Sequence, residues 1–125
     1  MGDNTKVVEQ AYDAFGQGDI AGLLALLADG VEWSSPKTLP HGGDFRGRAG
    51  VGKFFEGIGA NWSSLVVKVE DVGDLGPDTV VGVVRADGTR SGGATDGYGA
   101  VHIFTVGDGK ITRFREFTDL DAAFT

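Results

Sequence analysis

The order of the hydrophobic patterns constrains this chain most: helical spacing fills its first half and strand-like spacing its second. Apolar residues recur every three or four positions over 8–15, 20–27 and 51–62, which predicts three helices. Between the second and third helices, residues 31–35 alternate as a short strand. The segment 36–47 is rich in proline and glycine and predicts an irregular loop.

The second half carries short β-branched runs separated by turn residues, a pattern typical of consecutive strands. The Gly-Asp-Gly-Lys sequence at 107–110 predicts a tight hairpin between the last two strands. The Gly-rich segment 86–99 predicts a turn and an edge strand around Tyr98. The remaining strands are predicted over 65–72, 79–85, 100–106 and 111–118.

Helices followed by strands favour an α+β fold. We expect a cone-shaped barrel in which a curved antiparallel sheet is covered by the three N-terminal helices, all within a single domain over 1–125. Where side chains do not fill such a cone, its interior forms a pocket for a small molecule.

Charge and composition argue against several classes of function. The chain has 18 Asp and Glu against 11 Lys and Arg, a net charge of −7, so neither nucleic acid nor an anionic membrane is an expected partner. It contains no cysteine, which rules out disulfides, thiol nucleophiles and thiolate metal sites. No apolar run has the length of a membrane span and no signal-peptide pattern is visible, so we expect a cytoplasmic protein.

One familiar motif is imitated without its essential residue, and the histidines form no motif. The segment 47–53 resembles a phosphate-binding loop, but Phe54 stands where that loop needs a Ser or Thr hydroxyl for magnesium. His41 and His102 are far apart and belong to no metal-ligand pattern. We therefore expect neither a metal nor a cofactor, and we interpret His41 as a solvated residue of a loop near the mouth of the cone.

The final hairpin gives a sharper signal. A three-residue loop over 107–109 pairs Val106 with Lys110 and places His102 opposite Phe114, whereas a two-residue turn would place His102 beside Arg113 and Arg115. We favour the first register, because it leaves both arginines for the outer surface of the sheet or a dimer contact. One face then carries Ala100, His102, Phe104, Phe114, Glu116 and Thr118.

That face is apolar except for one imidazole and one carboxyl group. Desolvation in a covered cavity should raise the pKa of Glu116 toward neutral pH, which suits a group that transfers protons. An imidazolium at His102 would lower the same pKa, while a neutral His102 would orient a substrate or donate a hydrogen bond to it.

Four runs occur in order along the chain: GDI at 18–20, ADGVEW at 28–33, FRGR at 45–48 and GKITRFREF at 109–117. Together they resemble the SnoaL-like proteins of the nuclear-transport-factor-2-like (NTF2-like) superfamily, whose members include ketosteroid isomerases and limonene epoxide hydrolases. The resemblance implies a cone-shaped α+β barrel, a homodimer packed through the sheet, a pocket for a small hydrophobic molecule and no cofactor. It covers nearly the whole chain.

The resemblance also allows the site residues of these families to be matched to positions in this chain. SnoaL-type cyclases have a His and an acid/base Asp spaced like His102 and Glu116. The base and oxyanion-hole Tyr of ketosteroid isomerases match Ser35 and Ala11, and the last acid of the epoxide hydrolases matches Glu116. The Arg and first Asp of the epoxide hydrolases have no counterpart, because their positions match Val83 and Arg85.

The resulting hypothesis is an acid/base enzyme of isomerase, cyclase or hydrolase type that acts on a hydrophobic carbonyl compound. Glu116 would be the acid/base, and His102 would orient the substrate. The alternative is a non-catalytic domain that binds a small ligand or forms a dimer scaffold. The predicted substrate contacts are Trp33, Ser35, Tyr12, Phe15, Phe54, Trp62, Phe104 and Phe114.

Overall fold

A computed structural model describes residues 2–118 of the chain. A helix N-cap that the sequence favours at Asp119 lies outside the described residues. The elements, in chain order, are α1 (Gly2–Gly16), α2 (Ile20–Ala25), β1 (Leu27–Ser35), β2 (Gly43–Arg46), α3 (Gly47–Asn61), β3 (Trp62–Asp74), β4 (Thr79–Arg90), β5 (Thr95–Gly107) and β6 (Lys110–Phe117).

The described strands form one curved six-stranded sheet in the order β2-β1-β6-β5-β4-β3, with the helices packed on it. This confirms the predicted α+β cone architecture, but the sheet is open and does not close into a barrel. It is also mixed, because β1 pairs with β6 in parallel while the other neighbours are antiparallel. No short turn joins β1 to β6, so local turn chemistry does not determine their relative direction.

The second helix is shorter than its hydrophobic pattern predicts. The side chain of Asp19 accepts a hydrogen bond from the backbone N–H of Gly22 at 2.9 Å and caps the start of α2. The helix ends at Ala25, and Leu27 already belongs to β1, where it pairs with Ile111 of β6. The spacing of the leucines predicts a helix as far as Leu27, but pairing with β6 places Leu27 in the sheet.

The segment 86–99 contains the predicted turn, but Tyr98 lies on a long inner strand of the sheet and not on a separate edge strand. It contains the ends of the long strands β4 and β5, joined by a tight turn. The glycines have a packing role: a side chain at Gly88 would overlap the backbone oxygen of Ser64 and the ring of Trp62. Glycine in this strand therefore marks a close approach of β3, not a loop.

The final hairpin adopts neither of the two predicted registers. Its turn is two residues long, with both Asp108 and Gly109 at positive φ, as a type I′ turn requires. A bulge at Thr112 then shifts the pairing by one residue, so that His102 lies opposite Glu116. The predicted pairing of His102 with Phe114 is wrong by two residues, an even shift that keeps the predicted face.

The structure also differs from the sequence-based prediction in the segments on either side of α3. A short strand, β2, lies inside the predicted loop 36–47 and pairs with β1. Trp62, predicted on the third helix, is the first residue of β3. Within residues 2–118, no helix has the length and apolar character needed to cross a membrane.

Candidate active site

A cavity of about 70 Å³ lies between the inner face of the sheet and the helices. Its wall is mainly apolar and aromatic. Two of the predicted contact residues, Ser35 and Trp62, do not line it. Those that do are Tyr12, Phe15, Trp33, Phe54, Phe104 and Phe114, together with His102 and Glu116.

Glu116 is buried at the cavity wall, with 9% of its surface exposed, and both of its carboxyl oxygens have a partner. The Ser35 hydroxyl donates to Oε1 at 2.6 Å, and Nε2 of His102 lies 3.0 Å from Oε2. The strand order explains this contact. β6 lies between β1 and β5, so side chains from three strands meet on one face of the sheet.

Helix α1 completes a chain of hydrogen bonds on the far side of the imidazole. The hydroxyl of Tyr12 lies 2.7 Å from Nδ1 of His102. This approach depends on Gly82 in β4, because a side chain there would overlap the Tyr12 hydroxyl. Tyr12 therefore fixes the ring of His102 and also lines the cavity.

The pKa of Glu116 is lowered, whereas the desolvation expected from the sequence would have raised it. Burial raises the pKa of the carboxyl group, but the hydrogen bonds from His102 and Ser35, together with the positive charge that His102 and His41 carry when protonated, outweigh burial and lower its pKa below its usual range. Glu116 is therefore ionised at neutral pH and able to accept a proton.

The phenol of Tyr12 stays protonated, because burial and the charge of Glu116 both raise its pKa. It can therefore donate to Nδ1 of His102, which leaves the imidazole proton on Nε2, directed at Glu116. In this arrangement every donor has an acceptor, and all of the hydrogen bonds support the carboxylate charge.

Aromatic packing holds these groups in place. The ring of Phe114 stacks on Trp33 with centroids 4.0 Å apart and meets the ring of His102 edge-on at 4.9 Å. Phe114 is thus the common neighbour of the β1 and β5 side chains. Such contacts limit the rotamers that His102 can adopt.

Trp62 and His41 occupy places that the sequence does not indicate. Trp62 lies behind the cavity wall, where its indole N–H donates to Nδ1 of His41 at 3.1 Å. His41 is not the solvated loop residue expected from the sequence: it is 5% exposed and lines the cavity. Trp62 shields one side of the His41 imidazole. Phe54 packs edge-on against the same imidazole, with ring centroids 5.5 Å apart.

Several further residues of the cavity wall were not predicted as site residues, among them three that the sheet contributes. Leu65 and Val67 alternate along β3 with outward-facing residues, a period that could have identified them. Tyr98 lines the cavity from β5, and its phenol has a raised pKa because it is buried and close to the negative charges of Glu116 and Asp96. No local pattern marked Tyr98 as an inward-facing residue.

Among the residues that the structure describes, no three His, Asp or Glu side chains are grouped so that they could hold a metal ion. Arg113 is exposed on β6 and Arg115 is half-buried there, with its guanidinium 5.8 Å from the Phe117 ring centroid. Both alternate with the inward-facing Phe114 and Glu116 and so lie on the outer face of the sheet.

Substitution of Ser35 by Ala should raise the pKa of Glu116, because it removes the 2.6 Å hydrogen bond to the carboxylate. Loss of a bond to a charged group should lower the free energy of unfolding by about 1.5–3 kcal/mol at neutral pH. A carboxyl group with a depressed folded-state pKa stabilises the fold above its unfolded pKa. The difference between variant and parent should therefore shrink as the pH falls below about 4.3.

The carboxyl carbon of Glu116, titrated by ¹³C NMR, measures this pKa, and urea unfolding at several pH values measures the stability. Ser34→Ala is the matched control, because the Ser34 hydroxyl on the same strand bonds to Asp44 near the surface. An unchanged pKa of Glu116 in Ser35→Ala would contradict the assigned hydrogen bond.

The sequence model of the SnoaL-like domain family matches residues 8–114. A relative from Mycobacterium tuberculosis, the uncharacterized protein Rv0034, is 32% identical over 112 residues, which is 89% of this chain and 85% of that protein. An NTF2-like protein of Burkholderia thailandensis is 30% identical with a TM-score of 0.86, over 98% of this chain and 97% of that one.

Two further solved structures have names or bound molecules that bear on function. Rv0760c from Mycobacterium tuberculosis, in complex with estradiol-17β-hemisuccinate, is 28% identical with a TM-score of 0.77, over 95% of each chain. The Δ5-3-ketosteroid isomerase from Mycobacterium sp. is 26% identical with a TM-score of 0.75, over 96% of this chain and 95% of that one. The family match, together with the shared fold, establishes that the chain belongs to the SnoaL-like domain family of the NTF2-like superfamily.

Proposed function

We propose that the protein is an acid/base enzyme that moves a proton at a carbon next to a carbonyl group of a hydrophobic small molecule. One observation carries the proposal: an ionised, buried Glu116 is held by Ser35 and His102 at the wall of an apolar cavity. A carboxylate has about four lone-pair positions. Two are used by these partners, which leaves capacity to accept a substrate proton.

In the proposed step, the substrate C–H bond breaks and its proton goes to Glu116. The electron pair of that bond forms the C=C bond of an enolate, and the carbonyl π pair moves to the oxygen. If the ketone carries a neighbouring C=C bond, the enolate is a dienolate, and return of the proton from Glu116 to its far carbon completes an isomerisation. In a cyclisation, the enolate carbon attacks a second carbonyl carbon of the same molecule, the π pair of that carbonyl moves to its oxygen, and that oxygen takes the proton from Glu116. His102 and Ser35 position the carboxylate throughout.

The comparisons support this class of reaction. A Δ5-3-ketosteroid isomerase shares the fold, and a steroid ester is bound by Rv0760c. The size of the cavity indicates that the substrate is smaller than a steroid, or that the cavity opens when a steroid binds. At about 70 Å³, the cavity is roughly half the ~150 Å³ of an engineered cavity that binds benzene.

Proton exchange in D₂O tests the proposal whichever product the enzyme forms. The probes are 3-cyclohexen-1-one, a small unconjugated ketone, and 5-androstene-3,17-dione, a steroid of the same type. We expect catalysed loss of the α-proton NMR signals, faster with the small ketone. Exchange no faster than in buffer for both, or exchange unaffected by Glu116→Gln, would contradict the proposal.

Ligand binding without turnover is the second candidate function, favoured by the mainly apolar wall and by the ligand complex of Rv0760c. Estradiol-17β-hemisuccinate is the probe. Binding detected by calorimetry and unchanged by Glu116→Ala, in a protein that exchanges no ketone protons, would favour this candidate over the enzyme.

We also propose that the chain forms a homodimer through the outer face of its sheet. Val66 and Val83 lie on the face opposite the helices and are 64% and 36% exposed. A Val83→Glu substitution should shift sedimentation toward the monomer. Val69→Glu is the control, because Val69 is 37% exposed but on the helix-facing side; equal effects of the two substitutions would contradict this interface.

A further inference from the structure

His41 is a further polar group at the cavity wall, and the proposed proton transfer to Glu116 does not use it. It lies in the tight segment 36–42, between β1 and β2. In this segment the backbone N–H of Leu39 donates to the oxygen of Pro36, and that of Gly42 to the oxygen of Leu39, both at 3.0 Å. A side chain at Gly42 would overlap the Pro36 carbonyl, so this turn requires glycine there. The segment is thus built to carry His41 inward.

The partner of His41 determines its tautomer. An indole N–H can only donate, so the Nδ1 atom that lies 3.1 Å from Trp62 Nε1 must present a lone pair. The imidazole proton then lies on Nε2. Burial lowers the pKa of His41; the charge of Glu116 opposes this effect and that of Arg90 adds to it. His41 is therefore a neutral Nε2–H donor.

The remaining nitrogen of His41 is available to a ligand. Nε2 has no hydrogen-bond partner within residues 2–118. His41 and Glu116 line the same cavity, from the β1–β2 segment and from β6 respectively. The cavity therefore presents an ionised acceptor and a neutral donor to one bound molecule.

We propose that the Nε2–H of His41 donates a hydrogen bond to the carbonyl oxygen of the substrate. This inference rests on the proposed function and names the group that stabilises the oxygen of the enolate. As the substrate C–H proton passes to Glu116, negative charge develops on that oxygen. A preorganised neutral donor stabilises it without transferring its own proton, so protons and charge balance at Glu116 and the enolate.

Two substitutions separate the donor from the structural contact. In His41→Asn, the amide oxygen takes the place of Nδ1 and keeps an acceptor for Trp62, but nothing replaces the Nε2 donor. In His41→Gln, the amide nitrogen takes the place of Nε2 and keeps the donor. We expect His41→Asn to reduce 3-cyclohexen-1-one exchange by about 10²–10³-fold and His41→Gln to retain most of it.

The reverse order of activities, with Asn active and Gln inactive, would show that His41 acts only by holding Trp62, and would overturn the proposal. Thermal unfolding of both variants checks that they fold. Loss of exchange in Glu116→Gln together with unchanged exchange in both His41 variants would leave the proposed function intact and remove this role of His41.

A spectroscopic measurement tests His41 without turnover. The chain has 2 histidines, so side-chain ¹⁵N NMR signals can be assigned with His41→Gln. At pH 7 we expect His41 as the neutral Nε2–H tautomer. In Glu116→Gln, which removes the competing negative charge, 4-nitrophenolate should bind as an enolate mimic and shift the Nε2–H proton of His41 downfield.

An imidazolium or an Nδ1–H tautomer at His41 would overturn the proposal. So would 4-nitrophenolate that fails to bind, or that binds without shifting the Nε2–H signal. Because these outcomes do not depend on a substrate, a failure of the exchange assay alone contradicts the proposed function and not the donor assigned to His41.

Discussion

Glu116→Gln is expected to lower the rate of catalysed α-proton exchange by about 10²–10⁴-fold, the usual contribution of a general base. Gln keeps the size and shape of the side chain, and its amide oxygen still accepts a hydrogen bond. It cannot take up a proton at neutral pH. The exchange rate in D₂O should fall, while the binding of 3-cyclohexen-1-one, measured by NMR line shape, should change little.

Glu70→Gln makes the same chemical change on the exposed part of β3 and serves as the control. Its exchange rate should equal that of the parent protein. Full activity of Glu116→Gln would remove Glu116 from the reaction. Equal losses in the two variants would point to an effect of net charge and not of a base in the cavity.

Phe114→Ala should cost about 3–5 kcal/mol of unfolding free energy, as large aromatic truncations in cores do. Phe114 is 4% exposed, and its ring lies 4.0 Å from that of Trp33 and 5.1 Å from that of Phe104. The neighbours belong to other strands of the sheet, so they cannot collapse fully into the space. The loss is large against the roughly 5–15 kcal/mol stability of a typical domain.

Urea unfolding measures this loss, with an unchanged slope as evidence that the same two states are compared. Leu75→Ala, at a side chain that is 59% exposed, should change stability by less than about 0.5 kcal/mol. A cost of less than about 1 kcal/mol for Phe114→Ala would mean that the wall around His102 and Glu116 is loosely packed.

Local patterns predicted best those elements that bury one face, because the buried face imposes a regular spacing of apolar residues. The existence and order of the three helices and the inward face of the last hairpin were predicted correctly, although the second and third helices end earlier than predicted. Periods of 3.6 and 2 residues are visible in a short window. The Gly-rich ends of β4 and β5 were missed. There, glycine reflects the closeness of β3, as at Gly88, and no window of sequence contains that neighbour.

The hairpin shows why part of a wrong prediction still held. The pairing of His102 was wrong by two residues, because a bulge follows a two-residue turn. Side chains alternate with a period of two along a strand, so an even error leaves every residue on its predicted face. His102 and Glu116 were therefore placed on one face even though their direct pairing was not predicted.

What the sequence alone determined is the class of the fold and the presence of one carboxyl group and one imidazole on an inward apolar face. Tertiary structure decided their partners: Ser35 reaches Glu116 because β1 lies parallel beside β6, and Tyr12 reaches His102 across Gly82. It also decided that His41 is buried against Trp62. Periodicity reports which way a residue faces, whereas these contacts join residues distant in the chain and depend on how whole elements pack.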